Sequence, residues 1–322
     1  MSAGHSRILV TGASGFVGRA LCVELRAREE SVITTGRNTS REVPASTRHV
    51  IVPDLSEHFD WSALLSGVEI VVHLAARVHV MRDREIDPIA AYRKINTIGT
   101  ERLARAAARS GVKKFIYLSS IKVNGELTLP GKPFRSDDQP DARGPYAMSK
   151  YEAEMVLREI EDKTNLEVVI IRPPLIYGPG VKANFHSMME FAKRGIPLPL
   201  GAIKNRRSLV AIDNLVSLIV SCLRHPGAAG ETFLVSDGED LSTTELLRRL
   251  ARACGREARL IPVPAKFLRV AAGAIGLSDF ASRLLDNLQV DITKTCDVLG
   301  WKPPVGVDDA LKNAARPLFV MS

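Results

Sequence analysis

What this chain lacks narrows it first. Its 322 residues hold four cysteines, Cys22, Cys222, Cys254 and Cys296, too far apart to form any C-x-x-C pair. The seven histidines are not clustered either. Neither a disulfide framework nor a zinc site is signalled, no metal is expected, and the cysteine usage suits a reducing cytoplasm. The apolar stretch Val270-Ala-Ala-Gly-Ala-Ile-Gly-Leu277 falls far short of the roughly 20 residues that a bilayer span needs. Met1-Ser-Ala-Gly-His-Ser6 runs straight into a strand-like segment, so no signal peptide is expected. Internal repeats and low-complexity tracts are missing as well.

What is present is an ordinary globular composition, 45% hydrophobic and 25% charged, with a formal net charge of +8. That surplus suits anionic partners. The basic residues are nevertheless scattered along helix-like segments such as Glu101-Arg-Leu-Ala-Arg-Ala-Ala-Ala-Arg109, as on a solvated helix face. No nucleic-acid patch is expected. A diphosphate-bearing ligand would engage only a few of these cations, and weak association with an anionic membrane surface is compatible with the same charge.

Short apolar runs at residues 7–11, 31–35, 48–52, 69–74, 113–119 and 167–171 read as strands. Helix-period segments lie between most of them, the clearest at 16–28, 88–110 and 146–163. This alternation predicts an α/β fold with a doubly wound parallel sheet, covered on both faces. After residue 175 the rhythm breaks into a stretch richer in proline and glycine. The expected division is a dinucleotide-binding domain over 1–175 and a smaller substrate lobe over 176–322, with some later segments returning to the sheet.

The first strand ends in Gly12-Ala-Ser14-Gly15-Phe16-Val17-Gly18. In such a turn the first glycine allows the tight bend, the second lets backbone approach a pyrophosphate, and the third brings helix and strand together. The phosphates then meet free N–H groups at the helix start. Thr34-Thr35-Gly36-Arg37, closing the second strand, carries no carboxylate for a ribose 2′-hydroxyl. The Arg37 guanidinium suits a 2′-phosphate instead, which favours NADP(H) over NAD(H). Asp54 and Leu55 are placed for the adenine edge, and Leu74, Ala75 and Ala76 for the pyrophosphate and ribose. His73 is expected to pack at its strand end, with no acid or base role.

Tyr146-Ala-Met-Ser-Lys150 puts a phenol and an ammonium one helical turn apart on one face, a rise of about 6 Å. The ammonium is expected to lower the phenol pKa and to hold a ribose. Ser120, ending the fifth strand, would bring its hydroxyl to the reacting oxygen. These are the parts of a hydride-transfer enzyme, in which a nicotinamide carries the hydride and Tyr146 moves the proton.

Taken in order, Gly12-x-x-Gly15-x-x-Gly18, His73-Leu-Ala-Ala76, Asn96, Ser119-Ser120, Tyr146-x-x-x-Lys150, Arg172-Pro173 and Tyr177-Gly-Pro-Gly180 resemble the extended short-chain dehydrogenase/reductase family. The resemblance runs from Arg7 to about Pro304. It implies a Rossmann domain of about seven strands, a small C-terminal lobe, a homodimer and nucleotide-sugar substrates. It adds Asn96, Arg172 and Pro173 to the cofactor site. It also implies a substrate site in which Asn184 meets the sugar or diphosphate, Leu200 lies in the uridine segment, and Arg207 clamps the diphosphate. Arg206 either shares that role or is exposed, and Leu299-Gly-Trp301-Lys-Pro-Pro304 resembles a closing, packing element.

Departures from the family pattern shape the expected reaction. Where dehydratases follow the catalytic hydroxyl with an Asp-Glu pair, this chain has Ile121-Lys122, so dehydration is not expected. Family epimerases typically carry an acidic residue after the second strand, and Gly36-Arg37 does not fit. The run Ser119-Ser-Ile-Lys122-Val-Asn124-Gly125 resembles bacterial reductases of UDP-4-keto-6-deoxy-N-acetylglucosamine, which complete UDP-N-acetylquinovosamine for O-antigen. It implies Asn124 and Lys122 as substrate-site residues, with Lys122 either touching the sugar or reaching solvent. UDP-glucose 4-epimerase-like proteins share the same resemblance. An NAD(P)H-dependent 4-keto reductase of a UDP-linked 6-deoxy-N-acetylhexosamine is the expectation, with a UDP-hexose or UDP-N-acetylhexosamine 4-epimerase that retains NAD and a non-catalytic dinucleotide-binding regulator as alternatives.

Overall fold

The computed structural model describes residues 7–38, 48–78 and 87–316, without the side chains of Ala183, Asn184 and Asp279. Seven parallel strands form the main sheet, in the order β3-β2-β1-β4-β5-β6-β9. They are β1 (Arg7–Thr11), β2 (Ser31–Gly36), β3 (Arg48–Ile51), β4 (Val68–His73), β5 (Lys114–Leu118), β6 (Glu167–Arg172) and β9 (Thr232–Leu234). Each of the six strands read from the sequence appears within a residue of its expected ends. β7 (Leu175–Tyr177), β8 (Arg207–Ala211) and β10 (Asp240–Leu241) form a second, three-stranded sheet.

Alternation along β1 explains the two covered faces, because successive side chains point to opposite sides. Ile8 and Val10 pack with Leu21 and Leu25 of helix Phe16–Ala27 and with Leu215 and Ile219 of helix Ile212–Arg224. Leu9, one residue out of phase, packs with Leu103, Phe115 and Leu157 on the other side. A third core holds Tyr177, Phe185, Leu209, Leu246 and Leu311 beneath the second sheet. The Tyr177 hydroxyl donates to Asp237, which also accepts from the Ala211 amide and from Asn214.

Strand β9 and helix Ile212–Arg224 come from the second half of the chain yet complete the first half's sheet and core. Trp301 packs into that same core and donates to the Ser217 hydroxyl at 3.1 Å, a packing role as expected of the closing segment. The helix expected over 88–110 is also not uniform. It runs as α-helix Pro88–Tyr92, a π-helical turn Arg93–Ile98 and α-helix Gly99–Arg109. The wider π turn carries Asn96, which lies buried against its neighbours.

Candidate active site

Gly12 has φ of +69°, and a Cβ there would sit 2.7 Å from the Ala75 amide nitrogen. A Cβ on Gly18 would lie 2.2 Å from the Gly12 carbonyl oxygen. Only glycine permits this crowding, so the first turn, the exit of β4 and the following helix form a shallow, side-chain-free cradle. That helix starts from Gly15 with no side-chain cap, which leaves its first-turn N–H groups for a ligand. The residues present therefore fit a dinucleotide. Gly12, Ser14, Gly15, Phe16, Val17 and Gly18 all line one large cleft, together with Leu74, Ala75, Ala76 and Pro173.

Behind the cradle lies a buried hydrogen-bond relay. The Ala75 amide donates to Thr11 Oγ1, and the Thr100 hydroxyl donates to the Asn96 carbonyl. Thr100 must then accept from His73 Nε2, at 3.0 Å, and His73 Nδ1 must accept from Thr11, at 2.6 Å. Burial, with the nearby Lys150 charge, pushes the His73 pKa down to about 3 and keeps the ring neutral. His73 is a packed strand-end residue, stacked on Tyr117.

At the far end of the cradle, Arg37 reaches Asp54 at 3.2 Å while its own side chain is 74% exposed. Burial would raise the Asp54 carboxyl. Hydrogen bonds from Ser56 and the Arg37 charge outweigh it and hold the group below its ordinary value. β3 thus delivers to Arg37 the carboxylate that the tip of β2 lacks. Arg37, Asp54 and Leu55 all line the cleft.

At the cleft floor, Ser120, Tyr146 and Lys150 come together. Ser120 sits where β5 gives way to a short 3-10 turn, and it lines the cleft beside Tyr146. It also accepts from the Lys122 amide at 3.3 Å, so it caps that turn as well. Tyr146 and Lys150 stand one turn apart on helix Gly144–Lys163. Lys150 Nζ donates to the Leu118 carbonyl at 2.8 Å and lies 4.5 Å over the Tyr117 ring. Burial pushes Lys150 down to about 7, with Glu154 opposing. Burial likewise pushes Tyr146 up to about 12, with the Ser120 hydroxyl opposing. The expected depression of the tyrosine pKa is therefore reversed in this structure, because desolvation of the phenolate exceeds the help it receives.

Three expected site residues turn away from the cleft. Arg172 is buried at the end of β6, where its guanidinium forks onto Glu154 and donates to Asn124 Oδ1 at 2.9 Å. Asn124 is committed to Arg172 and, through Nδ2, to the Arg135 carbonyl at 2.7 Å. Its side chain is committed to these two partners and does not line the cleft. Asn96 accepts from the Arg77 amide at 2.8 Å and donates to the Arg77 carbonyl and to Ser149 Oγ. It therefore holds the loop that lines the cleft without lining it. In all three cases the reason is the same: a buried polar group must find its partners inside the protein.

Glu154 went unread in the sequence, although it lies one helical turn beyond Lys150. Its carboxylate accepts from Ser119 and from Arg172 and so ties the Tyr146 helix to the turn bearing Ser120. On the substrate side, Arg207 begins β8, faces the cleft and donates to the Asp286 carbonyl at 2.9 Å. Burial pulls its pKa below the usual arginine value. Arg206 is directed instead to the Asp240 carbonyl. Lys122 and Leu200 line the cleft, Lys122 paired with Glu126 at 3.5 Å. The Asn184 side chain lies outside the described residues. Met188, Phe191 and Phe280, which carried no sequence signal, form the outer wall of a cleft of about 1690 Å³.

One continuous cleft thus leads from a phosphate cradle, past a proton-bearing phenol, to the half-buried Arg207 guanidinium. Such equipment defines a dinucleotide-dependent enzyme of the Rossmann class. The chain belongs to the NAD dependent epimerase/dehydratase family, whose sequence pattern matches residues 8–236. It is 45% identical over 319 residues to a UDP-glucose 4-epimerase of Vibrio cholerae, covering 96% of this chain and 94% of that one. A 2-alkyl-3-oxoalkanoate reductase of Stenotrophomonas maltophilia is 30% identical over 256 residues, 77% of this chain and 76% of the relative. A UDP-glucose 4-epimerase of Thermotoga maritima, crystallised with UDP-glucose, has a TM-score of 0.78 at 23% identity, covering 98% of this chain and 99% of that one. This last likeness is one of fold alone.

Proposed function

We propose that the chain interconverts alcohol and ketone at C4 of a UDP-linked sugar. The observation that carries this reading is the convergence of Ser120, Tyr146 and Lys150 on one cleft that also takes in the glycine cradle and Arg207. A bound nicotinamide would supply or take up the hydride at the sugar carbon. Tyr146 exchanges the proton with O4, and Ser120 holds that oxygen in line by hydrogen bonding. Lys150, fixed on the Leu118 carbonyl, presents its remaining N–H groups to the ribose side. Arg207 holds the diphosphate through charge-assisted hydrogen bonds.

The direction of net reaction is proposed as reduction of a 4-keto group, as in UDP-4-keto-6-deoxy-N-acetylglucosamine, with NADPH preferred. A protonated Tyr146 phenol can give its proton to a developing alkoxide, as reduction requires. Arg37, 74% exposed although paired with Asp54, supports the 2′-phosphate preference. A second reading, a UDP-hexose 4-epimerase that returns the hydride to the same carbon, is favoured by the Vibrio cholerae relative. A homodimer belongs to either proposal.

The test is to mix purified protein with UDP-4-keto-6-deoxy-N-acetylglucosamine and NADPH or NADH, with UDP-glucose and UDP-N-acetylglucosamine as controls. Stoichiometric NADPH oxidation, with a C4 alcohol identified by NMR, is the expected result. C4 interconversion of the control sugars without cofactor turnover would establish the epimerase reading. Inertness toward every sugar would overturn the UDP-sugar assignment itself.

A further inference from the structure

The helix Ala265–Ala274 contains no buried residue, although its sequence is largely apolar. Ala265, Leu268 and Ala272 pack on Ile203, Ala281 and Leu285. Helical periodicity places Phe267, Val270, Ala271 and Ala274 on the opposite side. This helix therefore has two apolar faces, and only one is covered. Phe267 is 58% exposed and Val270 74%. The surface continues through Ile275 at 70% and Leu277 at 48% to Phe280 at 48% on helix Ser278–Leu285. Ile275 and Phe280 also line the cleft, so the apolar surface adjoins its mouth.

The flank between the two faces is cationic. It carries Lys266, whose Nζ lies 5.1 Å over the Phe267 ring, and Arg269, which is paired with Asp286. Residues 252–285 hold six lysines and arginines against two carboxylates, Glu257 and Asp279.

We propose that this face docks on an anionic lipid bilayer, with the mouth of the cleft beside the membrane surface. A ten-residue helix, about 15 Å long, cannot cross a bilayer. Among the described residues no helix is long and apolar enough to do so. Laid in the plane of the interface, Phe267, Val270 and Ile275 enter the acyl boundary while Lys266 extends toward the headgroups. Negative headgroups complement the basic segment, whereas a second copy packed symmetrically here would bring like charges together. The proposal is independent of whether the enzyme reduces or epimerises its sugar.

The test sediments the full-length protein with vesicles of phosphatidylglycerol and phosphatidylcholine, and with phosphatidylcholine alone. The variant F267S/V270S changes two side chains outside the cleft lining, and its circular dichroism and melting are compared with wild type. Wild type is expected to bind the anionic vesicles and to be weakened by salt. The variant is expected to lose about tenfold or more in partitioning while staying folded. Absence of wild-type binding, or equal binding by a folded variant, would overturn the proposal. So would a dimer seen by light scattering that the variant abolishes, which would assign the face to a second copy.

Discussion

Tyr146 is the residue on which the proposed chemistry turns. Tyr146→Phe removes the proton while leaving the cradle untouched. Turnover should fall by roughly 10²–10⁴-fold with cofactor affinity retained, as read by NADPH oxidation and by fluorescence titration. Lys150 makes a different prediction, about stability. Its folded pKa of about 7 lies below its ordinary 10.5, so between those values the unfolded chain binds more protons than the folded one. The burial penalty is therefore complete below about pH 7 and vanishes above about 10.5, and stability from this group rises with pH across that window. Urea unfolding at about pH 7.5 and about pH 9.5, both inside this window, should show that Lys150→Met removes this slope. Asp54→Asn addresses the cofactor. With its carboxylate gone, Arg37 is released and a repulsion against a 2′-phosphate is removed, so the KM for NADPH should fall relative to that for NADH. An unchanged ratio would detach Arg37 from cofactor choice.

At the scale of elements, the Tyr146 helix is held in register with the Ser120 turn by Glu154 and Arg172. Both are almost fully buried, and a buried pair is costly to break singly. Glu154→Gln should destabilise the protein by about 3–5 kcal/mol in urea unfolding, because Arg172 keeps its charge and loses its partner. The double substitution Glu154→Leu/Arg172→Met should recover much of that loss. If it fared no better than the single variant, the cost would lie in packing and not in the unpaired charge. The six strands were legible because each is a short apolar run bounded by turn residues, and the Gly12 turn was legible because its spacing has one geometric use. The π turn Arg93–Ile98 was not legible. It keeps helical periodicity to within a residue, and what selects it is the set of buried partners waiting for Asn96.

For the whole molecule, the division after residue 175 is one of sequence texture more than of folding. Residues 1–175 lack helix Ile212–Arg224 and β9, which cover Ile8, Val10 and Val72 and complete the sheet edge. A fragment ending at residue 175 should therefore fail to fold on its own, giving an aggregated species by size exclusion and little cooperative melting, whereas the full chain melts in one transition. A soluble, cooperatively folding fragment would show that the two halves are separable.

The parallel sheet, the glycine cradle and the Ser120, Tyr146 and Lys150 set were all legible along the chain. These depend on local periodicity, backbone conformation and fixed spacings along the chain, which are properties of neighbouring residues. The meeting of Asp54 with Arg37, the inward turn of Arg172 to Glu154 and of Asn124 to Arg172, and the upward shift of the Tyr146 phenol come from the tertiary structure. Each of these is set by which distant groups share a low-dielectric space, because a buried charge or amide is assigned its role by the partners that satisfy it.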